Sequence, residues 1–272
     1  MTYTPFVWLF ITSALVNGGL AYYTKRYEDV PSVKPFRFMM ICATAWATLY
    51  GLGTVITDFS LKLFVLNLIY IPALLAGIAA LVLALEYTGT GTAPTRRQRL
   101  WLLVSPLPFL AVAFTGRWHQ LWRYNIELIH HGNSLTTIVA EKGVIYWFYI
   151  ACIMGITLAA IAILITSFRY RTIYFRNTVI LTIGLFIPIV VGTLYAFELT
   201  PISGFDWTAS SFIWTGLLFI WAVLRSRLFD VTPLARNILI EQIEDLMVVL
   251  NREGLISDFN HAAQKALALS PA

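Results

Sequence analysis

Glu86 closes an apolar run, and Arg96, Arg97 and Arg99 follow in the next loop, with Arg169 and Arg171 in a later loop. A carboxylate at the end of a spanning helix can hold an arginine in one state and release it in another. Such a pair matters most where it is dehydrated. Glu86, Tyr87 and Arg97 therefore form a candidate signalling latch; the plainer alternative is an interfacial acid solvated by headgroups. Glu198 and Asp206 flank a second turn, and Asp58 and Lys62 a third, where they can ring the mouth of a pocket for a cationic or polar ligand. Solvated loop charges are the alternative. Trp118, His119, Trp122 and Trp207 complete that candidate rim, although an indole at a membrane edge more commonly belongs to an interfacial belt. His119, His130 and His131 lack a cysteine or acidic partner at ligand spacing, so no metal site is expected. A pH-sensing histidine is open in principle. No Ser-His-Asp set or HExxH lies within the apolar runs, which argues against an enzyme and implies no cofactor.

The elements that must position these residues are oily. Of 272 residues 58% are hydrophobic and 12% charged, about half the charged share of a soluble domain. Mean hydropathy is +0.74. Seven runs are long enough for helices across a bilayer, at about 4–23, 36–57, 61–86, 100–115, 143–167, 178–198 and 208–226. The fourth is short and the third long. A soluble protein would not repeat such runs. The expected fold is an all-α seven-transmembrane bundle.

The first run has no preceding basic residue and no small-x-small site, so it reads as a spanning helix and not a cleaved signal. Thirteen Lys and Arg fall in or beside the loops after the first, third and fifth runs (24–37, 88–99 and 168–177) and after the last run, against four on the other side: Lys62, Arg117, Arg123 and Lys142. That asymmetry puts the N-terminus outside and the C-terminus in the cytoplasm of a plasma-membrane protein. The net charge of +5 then serves topology and attraction to anionic lipid, not nucleic acid. Cys42 and Cys152 lie inside runs and read as small buried hydrophobes.

Residues 116–142 make a long outward segment rich in Trp, Tyr, His and Asn, too aromatic for a slack linker. Pro72, Pro106, Pro108 and Pro188 lie in or near the ends of runs and invite kinks; Pro188 is a candidate hinge. Asn17, Asn67 and Thr157 sit within runs and more often join helices than bind ligand. Beyond the last run, Pro233 fits the first turn of a new helix and is a second candidate hinge. Leu239, Ile243 and Leu246 then follow at spacings of four and three, suited to pairing with a second copy. From Met247 the text reads as strand, turn, strand and helix, with Asn260 as a cap, yet it is too short to bury a core. The domains are thus 1–226, a bundle; 227–245, a linker helix; and 246–272, the start of a further fold.

Several stretches resemble the N-terminal seven-helix sensor region of bacterial and archaeal histidine kinases, running into a PAS domain. They are "FVLNLIYIPALLAGIAALVLALEYTG" (64–89), "LLVSPLPFL" (102–110), "IGLFIPIVVGTLYAFEL" (183–199) and "SGFDWTASSFIWTGLLFIWAVLRSRLFDVTPLARNILIEQIEDLMVVLN" (203–251). The resemblance implies a signal receptor whose seventh helix passes a shift to a cytoplasmic output module. It also implies membrane lipids and a small-molecule or lipid ligand as partners, with a homodimer formed through 234–246. Relatives of this kind continue into a phosphoacceptor helix and an ATP-binding domain, which this text does not contain. The chain is read either as a piece of a kinase or as a separate receptor. A small-molecule transporter or channel is the alternative, against which stand the absent internal repeat and the terminal position of the acids. A retinal photoreceptor needs a lysine in the last run, and 208–226 has none.

Overall fold

The structure is a computed structural model that describes residues 3–90, 94–132, 134–167, 175–225, 228–229, 245–250, 256–259, 262–263 and 266. The chain divides into two compact units, Met1–Leu228 and Phe229–Ala272. In the first, the helices are α1 (Val7–Tyr23), α2 (Val33–Val55), α3 (Phe59–Leu68), α4 (Tyr70–Thr88), α5 (Arg96–Val104), α6 (Leu107–Phe114), α7 (Val144–Ser167), α8 (Phe175–Ala196) and α9 (Thr208–Arg225). Between α6 and α7 lie two strands, β1 (Arg123–His131) and β2 (Leu135–Lys142).

Among the described residues five segments are long and apolar enough to cross a membrane: α2, α3 with α4, α7, α8 and α9. Helix α1 has 17 residues, a length of about 26 Å, slightly under a hydrocarbon core of about 30 Å. The expected run at 100–115 is not one helix. It breaks between α5, of 9 residues, and α6, of 8. Pro106 lacks the N–H that an unbroken helix needs, and its fixed φ starts α6 instead. The 61–86 run bends at Ile69, outside both α3 and α4. Pro72 then falls in the first turn of α4, where no N–H is required.

Local chemistry marks the ends. Asp58 accepts the Leu61 N–H at 2.8 Å and starts α3. Thr95 and Gln98 form a reciprocal capping box on α5. Gly89, at φ 68°, takes the left-handed position after α4.

Helices α1, α2, α4, α7, α8 and α9 pack in sequence, and α9 returns to α1, closing a ring of six. Helices α3 and α6 lean on its outside. The ring closes through side chains that grip main-chain oxygens of α9. Ser13 Oγ donates to the Ala209 carbonyl at 2.9 Å, and Asn17 Nδ2 to the Phe212 carbonyl at 3.1 Å. Gly216 allows the approach, since a Cβ there would lie 2.6 Å from Val16 Cγ1.

The expectation of an all-α fold needs correcting at 116–142. This segment folds as an antiparallel β-hairpin over one end of the ring. Its strands are rich in Ile, Val, Thr and Tyr, which suit a pleated surface. Gly132, at φ 63°, supplies the turn, and a bulge falls between Tyr124 and Glu127. Leu135, Thr136, Thr137 and Ile138 of β2 are buried. Beneath them Phe205 is fully enclosed, its ring 5.3 Å from that of Phe6, 5.8 Å from Phe10 and 4.8 Å from Trp207.

In the second unit, β3 (Val248–Leu250) pairs antiparallel with β4 (Ile256–Phe259). The linker with Pro233, most of the 234–246 pairing helix, and His261 lie outside the described residues.

Candidate functional site

Between α2, α4, α7, α8 and α9 lies a cavity of about 150 Å³. It begins under the hairpin and runs inward along α4. Tyr70 and Ala80 both line it, ten residues apart, or about 15 Å along a helix. The two ends differ chemically. At the hairpin end the wall carries Tyr50, Tyr70, Tyr146, Tyr195, Arg123 and Asp206. The inner end is apolar, with Met39, Ala76, Ile153, Met154 and Leu185 among its lining.

Each polar group is placed by a local cause. Arg123 opens β1, and its Nη2 donates to Asn67 Oδ1. The Asn67 amide also donates to the Ala113 carbonyl at 3.3 Å, so one buried side chain ties α3 to both α6 and β1. The guanidinium lies 5.7 Å from the centre of the Tyr70 ring, a cation–π arrangement. Tyr149 donates to the Tyr70 carbonyl at 2.7 Å. Around these rings packs Trp122, wholly buried, 4.7 Å from Tyr70 and 5.7 Å from Tyr146.

Asp206 sits just before α9. Its Oδ1 accepts the Thr208 N–H at 2.8 Å, and its own N–H donates to the Tyr50 hydroxyl at 2.5 Å. Burial pushes the Asp206 carboxyl up from its ordinary value, opposed by hydrogen bonds from Thr208. Its neutral form is correspondingly favoured. No carboxylate lies within 4.0 Å of Arg123 among the described residues; the ion pairs there are Arg37–Glu28 and Lys142–Glu198. The hydroxyls of Tyr146 and Tyr195 act electrostatically with Asp206 and Arg123, and neither makes a hydrogen bond among the described residues.

The hairpin is fastened over this end. Lys62 is 2% exposed; its Nζ donates to the Ile56 carbonyl at 3.1 Å and to Thr136 Oγ1 at 2.8 Å. A cation at the carboxyl end of α2 is favourably placed. Thr137 donates to the Ser203 carbonyl at 2.8 Å. Gly204, at φ 71°, lets the 197–207 loop pass the strand, because a Cβ there would fall 2.6 Å from the Ile138 carbonyl oxygen.

Pro188 of α8 also lines the cavity. A proline at 188 supplies no N–H to the carbonyl four residues earlier, that of Gly184. Thr215 of α9 donates its hydroxyl to that carbonyl at 2.9 Å, as neighbouring helices do for proline-freed groups in membranes. Thr215 of α9 thus holds the backbone oxygen that this wall proline leaves free, and Thr208 and Phe212 of α9 line the cavity too.

Of the residues read from sequence as a pocket rim, Asp206 lines the cavity. Trp118 is 77% exposed. His119 is held against Thr115 at 3.0 Å. Trp122 is buried in the tyrosine cluster, and Trp207 packs on Phe6 and Phe205. Glu198, at φ 60°, pairs with Lys142 at 2.8 Å. Of the latch residues, Glu86 is half-buried with Lys34 and Arg99 as the cations acting on it. Arg97 is exposed, and no arginine lies within ion-pair distance of Glu86 among the described residues. Tyr87 is half-buried beside it.

Sequence reasoning passed over Tyr50, Tyr70, Tyr146 and Arg123. Their signal is positional: tyrosines recur, among phenylalanines, where apolar runs approach the hairpin.

A search of curated proteins finds no match. A family model does match, over residues 9–233, and it describes the N-terminal 7TM region of histidine kinase. That stretch takes in the ring but for the first two residues of α1, with the hairpin and the cavity, and the chain belongs to the family of N-terminal seven-transmembrane regions of histidine kinases.

Proposed function

We propose that this chain is the receptor part of a histidine-kinase-type transducer, in which occupancy of the hairpin-capped cavity shifts α9. In this reading α1 and the paired segment α5–α6 complete seven crossings, with the N-terminus outside and α9 leaving toward the cytoplasm of a plasma-membrane protein. Residues 227–245 form the relay helix, dimerising through 234–246, and 246–272 begin a PAS domain that passes the signal to a kinase or other output module. One observation carries the reading: Pro188 lines the cavity, and the carbonyl it frees is held by Thr215 of α9. A ligand pressing on that wall acts directly on the last helix. Coupling of only about 1–3 kcal/mol is needed for a useful response.

The test fuses residues 1–245 to a kinase core in membrane vesicles and follows autophosphorylation with and without cell extract fractions. A response is expected in the wild-type fusion and is expected to be lost when Met154→Trp fills the cavity or Pro233→Ala alters the relay. Equal output from all three fusions under every fraction sinks the proposal.

A further inference from the structure

The chemical class of the ligand can be read from the two ends of the cavity, granted that the cavity is the receptor site. Arg123 is the one lining residue with a permanent charge. A guanidinium has five N–H donors. Among the described residues it makes one hydrogen bond, to Asn67. Asp206, the acid on the same wall, is already occupied by the Thr208 N–H and lies outside ion-pair reach of Arg123. The Tyr146 and Tyr195 hydroxyls can donate into the same space. Facing groups from β1, α7 and α8 thus offer donors and a positive charge. Deeper in, Ala76, Ala80, Gly77 and Met154 leave a narrow apolar channel. Gly77 lets α7 approach α4 closely there, since a Cβ would lie 3.2 Å from Thr157 Oγ1.

We infer that the cavity takes a single-chain amphiphile with one compact anionic head, the head on Arg123 and the tyrosines and the tail along α4 toward Ala80. Charge-assisted, bidentate contacts from arginine to a carboxylate would supply the specificity, and tail burial the bulk of the affinity. A cationic head meets Arg123 unfavourably, and a neutral one leaves its donors unanswered.

The full chain is purified into nanodiscs of zwitterionic phosphatidylcholine, and its thermal unfolding is followed against decanoate, decanol and decyltrimethylammonium. A ligand that binds the folded state raises the midpoint with concentration. Decanoate is expected to bind saturably and at least about ten-fold more tightly than the other two. Arg123→Gln, which keeps a donor for Asn67, is expected to erase that preference, and Met154→Trp to weaken decanoate itself. Should R123Q fail to unfold cooperatively, Tyr195→Phe serves in its place, with a several-fold loss expected. Equal binding of decanol or the ammonium, unchanged decanoate binding in R123Q or Y195F, no decanoate binding, or a co-purified phospholipid that decanoate does not displace each overturns the inference. If decanoate fails while Met154→Trp still silences the kinase fusion, the ligand class falls and the receptor reading stands. If decanoate binds while the fusion ignores the plug, the reverse holds.

Discussion

Replacing Thr215 by valine keeps the side-chain shape and removes the hydroxyl that serves the Gly184 carbonyl at 2.9 Å. Both groups are buried. Interhelical hydrogen bonds in membranes contribute about 0.6–1.7 kcal/mol, and a stranded buried acceptor costs about 1–3 kcal/mol. Thr215→Val should therefore destabilise the bundle by about 1–2 kcal/mol. The cause lies at position 188, not at 215. Pro188→Ala restores an N–H four residues after Gly184, which can complete the helical bond within α8. In that background the carbonyl no longer depends on α9, and Thr215→Val should cost under about 0.5 kcal/mol. The coupling between the two sites is then about 1 kcal/mol, within the range of contacting pairs. Equilibrium unfolding of the four proteins in mixed micelles, titrated with dodecyl sulfate, gives all the differences needed. An identical cost of Thr215→Val in both backgrounds refutes the link between the proline and α9.

Asp206 makes the bundle sensitive to pH. Its folded pKa is raised by burial, so its contribution is complete below the unfolded carboxylate value of about 4 and is lost as pH rises through the folded value. The wild-type melting temperature should fall across that window, and Asp206→Asn, which can still accept the Thr208 N–H, should flatten the slope; an unaltered slope is the contrary result. Lys62→Ala removes the clasp between α2 and the hairpin and should cost about 1.5–3 kcal/mol, read as faster proteolysis at the Gly132 turn than in wild type. Gly204→Ala must adopt a left-handed backbone and meet the Ile138 carbonyl oxygen at 2.6 Å, so a loss above about 2 kcal/mol is expected. A melt within 1 °C of wild type, on the order of a few tenths of a kcal/mol, speaks against that packing.

The spanning helices were legible because apolar length reports directly on a bilayer. Five of the seven apolar runs meet the length and hydropathy needed. The broken α5–α6 segment was less so: Pro106 and Pro108 were visible as kinks, but whether a proline bends or splits a helix depends on what packs around it. The hairpin went unread because Trp, Tyr and His at 116–142 signal a membrane edge as readily as a strand. Lys62 and Asp206 read as loop charges since sequence shows a residue's type and not its partners. Both turn out to be buried and hydrogen-bonded. Arg123 entered only as one charge in a topological count, because the Asn67 contact that anchors it comes from a helix 56 residues away in sequence.

The grip on α9 has a further implication. Ser13, Asn17 and Thr215 all hold carbonyl oxygens, atoms that every residue carries whatever its side chain. What these three fix is therefore the axial register of the last helix, independent of the letters written on its lipid-facing side. Trp214, Leu217, Trp221 and Leu224 lie exposed on that helix and are free to be rewritten for another bilayer or another neighbour, with the shaft still seated at the same height.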